Sequence, residues 1–136
     1  MAAPFSWPIR VYWEDTDAGG IVFYANYLKF FERARTEWLR SMGIGQAHLG
    51  ERTGGMFVVS ETAVRYLRPA RLDDELRVTA ELTEAGRVAM TLRQQALQHA
   101  GGELLAEGTI RIGWVDAATL RPARIPPVIL QTLNTR

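Results

Sequence analysis

The chain has 136 residues, with 16 basic and 15 acidic side chains, two histidines, no cysteine and a formal charge of +1. That length suits one domain with a real core, expected to span residues 1–136, and is too short for two. The missing cysteines exclude a disulfide framework, a thiolate zinc site and a Cys nucleophile, and His48 and His99 stand too far apart in sequence to suggest a multi-His metal site.

The near-balanced charge argues against a protein built to grip nucleic acid. Lys29 is the only lysine, and the arginine excess reads as composition rather than as a phosphate-binding surface. The longest apolar run, residues 19–25, falls far short of the roughly 20 residues of a membrane span. Residues 1–8 carry neither the basic nor the apolar region of a signal peptide, so the expected location is cytoplasmic.

A first strand is predicted at residues 9–14, where Ile9, Val11 and Trp13 alternate with Arg10, Tyr12 and Glu14. Asp15-Thr16-Asp17-Ala18-Gly19-Gly20 then reads as a loop. Residues 27–42 have the period of a long helix, with Tyr27, Leu28, Phe31, Ala34, Trp38, Leu39 and Met42 on one side. Asn26 is the expected N-cap and Gly43 the residue just past the end. Arg33 with Glu37, and Glu32 with Arg35, are spaced to pair on the solvent side. A short helix at residues 46–52 is expected to end at Gly54-Gly55.

Four strands are predicted after that, at residues 57–67, 76–83, 88–98 and 104–115, joined largely by short turns. The alternation of Leu76, Val78, Ala80 and Leu82 with Arg77, Thr79, Glu81 and Thr83 is that of a half-buried antiparallel strand. The resulting fold class is α+β, a five-stranded antiparallel sheet wrapped around one long central helix. Thr79, Glu81, Thr91, Arg93, Thr109 and Arg111 make the second sheet face polar, so it either meets water or packs on another sheet. A homo-oligomer is expected, because one helix covers only part of the sheet and an edge strand invites a partner.

The segment from Arg10 to Tyr27 is the most unusual. Glu14, Asp15 and Asp17 lie within four residues, a glycine pair follows, and then comes an aromatic helix start. A carboxylate is thereby set near a helix N-terminus, where free N–H groups and the helix dipole favour negative charge. Such N–H groups can hold an oxyanion while the carboxylate acts as base or nucleophile, and Gly19 and Gly20 would let a ligand approach the backbone. The same letters also describe an ordinary strand-to-helix turn with Asx-turns at Asp15 and Asp17. Calcium is disfavoured, since counting from Asp15 the twelfth loop position is Asn26 rather than Glu.

On these residues the chain resembles the hotdog-fold acyl-CoA thioesterases of the 4-hydroxybenzoyl-CoA thioesterase type, most of all the branch encoded with the Tol–Pal cell-envelope system. The likeness runs through Arg10-Val11, Thr16-Asp17, Gly20-Ile21-Val22, Tyr24 and Asn26-Tyr27. It continues in residues 31–37 and 64–74 and covers nearly the whole chain.

The resemblance implies a thioester hydrolase with no metal and no cofactor. It implies Asp17 as the catalytic carboxylate, the backbone N–H of Tyr24 as oxyanion donor and Gly20 as a substrate contact. Arg87 and Arg121 fall where the family holds CoA phosphates, for which the arginine fork is suited. Asp15→Asn is expected to matter less than Asp17→Asn. Many members of the Tol–Pal branch have His at the position of Tyr24, where the 4-hydroxybenzoyl branch has Tyr, so this side chain bears on substrate choice. Glu61 is a possible second carboxylate or an exposed strand residue.

The expected partners are an acyl-CoA substrate and further copies of the chain, as a homotetramer built from dimers. Acyl carrier protein thioesters and aromatic acyl-CoAs remain alternative substrates. A non-catalytic acyl-CoA binding protein at the Tol–Pal system is the alternative from another class. A serine-hydrolase route is disfavoured, because Ser6, Ser41 and Ser60 lie in no Gly-x-Ser-x-Gly elbow.

Overall fold

Alternation of apolar and polar residues and one amphipathic segment build an antiparallel sheet and the helix that covers it, in a computed structural model that describes residues 3–134. The strands are β1 (Phe5–Arg10), β2 (Gly55–Tyr66), β3 (Glu75–Ala85), β4 (Ala89–Gln98) and β5 (Leu104–Asp116). The helices are α1 (Asn26–Ser41), α2 (Gln46–Thr53) and α3 (Pro127–Asn134). The sheet order is β1-β3-β4-β5-β2 and every neighbouring pair is antiparallel. This is the wrapped-helix α+β fold read from the sequence.

The period-2 rule is clearest in β5, where Ala106, Ile110, Ile112 and Trp114 are all buried. Helix α1 packs across β1, β3 and β4. It buries Phe30 and Phe31 completely, each contributing about 1.5–3 kcal/mol of apolar burial. Gly108 of β5 makes room for this, since a Cβ there would stand 3.0 Å from the Phe31 ring. The helix ends as expected at Gly43, whose φ of +82° suits glycine. Gly43 N–H donates to the Arg40 carbonyl and Ile44 N–H to the Leu39 carbonyl, a Schellman pattern closed by buried Ile44.

Several expectations are corrected. The first strand lies earlier than residues 9–14, and Trp13–Asp15 forms a 3₁₀ turn. The cause is Asp15, whose carboxyl accepts the Tyr12 N–H at 2.9 Å and bends the chain away from β3. Asn26 is the first helical residue rather than the N-cap, a position held by Ala25 with no side-chain cap. Arg35 is buried rather than solvent-facing, and Arg40, not Arg33, pairs with Glu37 at 2.7 Å. Arg33 lies over the Phe30 ring instead. Thr79 is buried, its hydroxyl accepting the Gln95 N–H. Helix α3 has no counterpart in the predicted elements, and it buries Ile129 and Leu133 against the core.

The outer face of the sheet satisfies part of its own polarity. Arg93 pairs with Glu81 at 3.2 Å, and the Gln95 amide donates to Glu107 at 2.7 Å. No helix among the described residues is long and apolar enough to cross a membrane.

The inner face carries one polar node. Gln94 of β4 is fully buried, and its amide donates to the carbonyls of Phe31 (2.9 Å) and Thr79 (3.0 Å). Its side-chain oxygen accepts Arg35 Nη1 at 2.9 Å. Burial pushes the Arg35 guanidinium down from its ordinary pKa, with the Glu32 carboxylate opposing that shift. Gln94→Leu removes the acceptor and strands a buried cation, for an expected loss of about 2–4 kcal/mol. Denaturant unfolding at fixed protein concentration, of both single variants and of Gln94→Leu with Arg35→Leu, checks this. The double variant should lose less than the sum of the singles, whereas additive losses would show that the two side chains do not act as a unit.

Candidate active site

The acidic loop lies where the C-terminal ends of β1 and β2 and the start of β3 meet. Val11 exchanges backbone bonds with the Asp73–Asp74 segment, and Val22 N–H donates to the Ala70 carbonyl at 2.9 Å. Between them residues 16–22 form a tight hairpin. Thr16 bridges Val22, Asp17 N–H donates to the Ile21 carbonyl at 2.9 Å, and Gly20 N–H returns to the Asp17 carbonyl at 3.0 Å. The turn needs φ of +77° at Gly20, and no atom stands within 4 Å of where a Cβ there would be.

The two aspartates of this loop have opposite environments. Asp17 is exposed, and its carboxylate accepts one internal hydrogen bond, from Gly19 N–H at 2.8 Å. Asp15 is 3% exposed and accepts both the Tyr12 N–H and Asn26 Nδ2, the latter at 2.7 Å. One acid is therefore open to a reactant and the other is built into the fold. Spacing alone could not separate them.

The helix start completes the arrangement. Phe23 N–H donates to the Asp15 carbonyl at 2.9 Å, and the Tyr66 hydroxyl donates to the Tyr24 carbonyl at 3.0 Å. Between these two restraints, the Tyr24 N–H has no hydrogen-bond partner among the described residues. Burial, and then the neighbouring Tyr24, push the Tyr66 pKa up, so its hydroxyl stays protonated and donating at neutral pH. Burial also pushes Tyr27 up, although its hydroxyl oxygen accepts the Ala70 N–H.

Tyr24, Tyr27 and Tyr66 form an aromatic cluster, with Tyr24 edge-on to Tyr66 at 6.1 Å between centroids. They line an apolar hollow of about 250 Å³ together with Ile21, Leu67 and Pro69.

Asp17, Gly20 and Tyr24 therefore come together at one end of the sheet. Arg87 and Arg121 do not join them. Arg87 sits in the β3–β4 turn, where its carbonyl accepts the Ile125 N–H, and Arg121 follows β5, where its carbonyl accepts the Asp116 N–H. Both lie at the opposite end, and β5 alone runs 13 residues, about 40 Å at strand rise. Glu61 is exposed on β2, next to a register irregularity and opposite Arg111. His48 is exposed, with its ring nitrogen 3.8 Å from Glu51. Among the described residues, no three His, Asp or Glu side chains gather as a metal site. The family likeness covered Asn26 and Tyr66, but sequence reasoning gave neither a place beside Asp17 and Tyr24. The hydrogen-bonding side chain of Asn26 beside the acidic loop was the one available signal.

Comparison with known proteins agrees with the architecture. The family model described as the thioesterase-like superfamily matches residues 11–133. The acyl-CoA thioester hydrolase YbgC of Escherichia coli O6:H1 is 42% identical over 127 residues, covering 93% of this chain and 92% of that one. The acyl-CoA thioesterase YbgC of Haemophilus influenzae is 41% identical over 122 residues, covering 90% and 88%. Among solved structures, a 1,4-dihydroxy-2-naphthoyl-CoA thioesterase from Synechocystis superposes with a TM-score of 0.88 over 97% of this chain and 96% of that one. At 20% identity that likeness speaks for the fold alone. With the family match running through the acidic loop and into α3, the chain belongs to the thioesterase-like superfamily as a hotdog-fold thioester hydrolase.

Proposed function

We propose that this enzyme hydrolyses acyl-CoA thioesters, with Asp17 as the catalytic carboxylate and the Tyr24 N–H as the oxyanion donor. One observation carries the reading. The exposed Asp17 and the unpaired Tyr24 N–H belong to the same hydrogen-bonded loop at a helix N-terminus. The acyl-CoA substrate class is supported by the YbgC relatives.

In the reaction, the thioester carbonyl oxygen lies on the Tyr24 N–H while an oxygen nucleophile bonds to the carbonyl carbon. If water attacks, Asp17 takes its proton. If Asp17 attacks, a mixed anhydride forms and water then cleaves it. On either route the C–S bond breaks, the CoA sulfur leaves as thiolate and takes up a proton, and the acyl group leaves as a carboxylate. The hollow between Tyr24, Tyr27 and Tyr66 suits the acyl group, being apolar and next to the donor. Gly20 leaves open space for the thioester to approach the backbone.

The remote arginines fit a homo-oligomer. Strand β2 ends the sheet, its outer edge unpaired among the described residues, and Leu28 and Val59 are exposed along the adjoining groove. Two copies joined antiparallel through β2 would bring the Arg87 and Arg121 end of one beside the Asp17 end of the other. There the two guanidinium groups would meet the CoA phosphates. A homotetramer built from such dimers is the proposed assembly.

Asp17→Asn should lower turnover by about 10²- to 10⁴-fold in a thiol-release assay across short, long and aromatic acyl-CoAs. Stability should change by no more than about 0.5 kcal/mol, because the side chain is exposed and Asn can still accept the Gly19 N–H. Near-wild-type release by Asp17→Asn would remove Asp17 from the chemistry. No release by the wild type across the panel, with binding retained, would favour an acyl-CoA binding protein. Sedimentation equilibrium should give the mass of four chains. A two-chain mass would remove the tetramer and keep the edge pairing, and a single-chain mass would overturn both.

A further inference from the structure

We infer that Asp15 and Asn26 form a positioning brace that sets the Asp17 carboxylate and the Tyr24 N–H in one geometry for turnover. This rests on the roles proposed for Asp17 and Tyr24.

The placement of the pair is the first argument. Asp15 lies two residues before Asp17, and Asn26 two residues after Tyr24. The 2.7 Å bond from Asn26 Nδ2 to Asp15 Oδ1 closes the neck of the intervening loop. Inside that neck the Thr16–Val22 bridge and the Asp17 N–H to Ile21 bond hold only the hairpin itself. The Phe23 N–H to Asp15 carbonyl bond joins the hairpin to the chain before the helix. Asn26 N–H also donates to the Phe23 carbonyl and the Tyr27 hydroxyl accepts the Ala70 N–H, but among the described residues the Asn26 Nδ2 bond is the one side-chain bond that joins the first helical residue directly to the segment that carries Asp17.

Burial is the second argument. Asp15 and Asn26 are 3% and 6% exposed. Removing a carboxyl group from water is costly unless its oxygens are bonded, and here each oxygen has its own donor, Tyr12 N–H and Asn26 Nδ2. An exposed turn would need no such group. A hydrogen bond with one fixed donor and one fixed acceptor restricts rotation of the helix start about residues 23–25; the Tyr66–Tyr24 and Tyr27–Ala70 bonds do so too, but they end on residues 66 and 70 rather than on the segment that carries Asp17. Reaction at a carbonyl held between two groups is sensitive to that rotation. A displacement of about 1 Å can cost on the order of 10²-fold in rate. The CoA-binding arginines proposed above come from the other copy and are not held by this bond, so the brace acts on the chemical step and leaves substrate affinity nearly unchanged.

The test uses the full-length chain and four variants: Asp15→Asn, Asn26→Ala, the exchange Asp15→Asn with Asn26→Asp, and Asp17→Asn as reference. Asp15→Asn sets an amide N–H₂ against a donor, and Asn26→Ala removes the donor. The exchange restores both bonds with the roles reversed, since an Asn at 15 donates to an Asp at 26 and still accepts the Tyr12 N–H. Thiol release gives kcat and KM, and circular dichroism gives the folded fraction used to normalise kcat.

The two single variants should lose about 10- to 100-fold in kcat with KM within about threefold of wild type, and the exchange should regain kcat to within about threefold. Asn26→Ala keeps the Tyr12 bond and decides the matter if Asp15→Asn does not fold. The inference is overturned if a folded single variant keeps wild-type kcat, if the loss is confined to KM, or if the folded exchange is as slow as the singles. An active Asp17→Asn would instead overturn the proposed role of Asp17, a separate result.

Discussion

An amphipathic helix whose apolar face lies against an apolar sheet is held there without being told where to stop. Apolar burial is non-directional, so Phe30, Phe31, Ala34 and Leu39 fasten α1 to the sheet but fix neither its rotation nor its position along the axis. Directional polar bonds do that, the Tyr27 hydroxyl with the Ala70 N–H and two further anchors among them. Mid-helix, the Gln94 amide takes the Phe31 carbonyl and its oxygen takes Arg35. At the N-terminus, Asn26 reaches the buried Asp15 carboxyl. The first anchor sets the helix against β3 and β4, and the second sets its end against the acidic hairpin. The second anchor joins the helix start, two residues past the open Tyr24 N–H, to the segment that carries Asp17.

Composition narrows the chemistry in the same direction. The sequence has no thiol, two histidines far apart and no serine elbow, and the proposed chemistry draws instead on a carboxylate beside helix N–H groups. Six of the fifteen arginines are engaged by their neighbours. Arg10, Arg40, Arg68 and Arg93 are in ion pairs, Arg33 lies on the Phe30 ring and Arg35 is buried on Gln94. Exposed pairs of this kind add little stability each, so their number reflects composition more than design.

The fold was legible wherever a periodic signal was uninterrupted. Helix α1 starts and ends within one residue of its predicted span, because the 3.6-residue period and Gly43 both mark it. The β3–β4–β5 meander follows from alternation and short Gly turns. What failed were local rules overridden by tertiary bonds. The alternation of Ile9, Val11 and Trp13 runs past the true end of β1, since Asp15 pulls the Tyr12 N–H out of any strand pairing and leaves Trp13 79% exposed. Arg35 has the spacing of a surface ion pair, yet the buried Gln94 of β4 claims it. Helix α3 did carry a signal, Pro127 at the first helical position followed by Ile129 and Leu133, but it is short and its apolar pair is ambiguous alone. Of the site, the family likeness singled out Asp17 and Tyr24. It could not show that Asp15, two residues away and chemically identical, is buried.

In the proposed reaction Asp17 and the Tyr24 N–H act on the same carbonyl. The direct measurement is a crystal structure of the enzyme with a non-hydrolysable acyl-CoA analogue in which a ketone CH₂ replaces the thioester sulfur. The account predicts the ketone oxygen about 3 Å from the Tyr24 nitrogen, with the Asp17 carboxylate facing the carbonyl carbon directly or through one water. A ketone oxygen bound by any other donor, with Asp17 turned away from the carbonyl carbon, would contradict it.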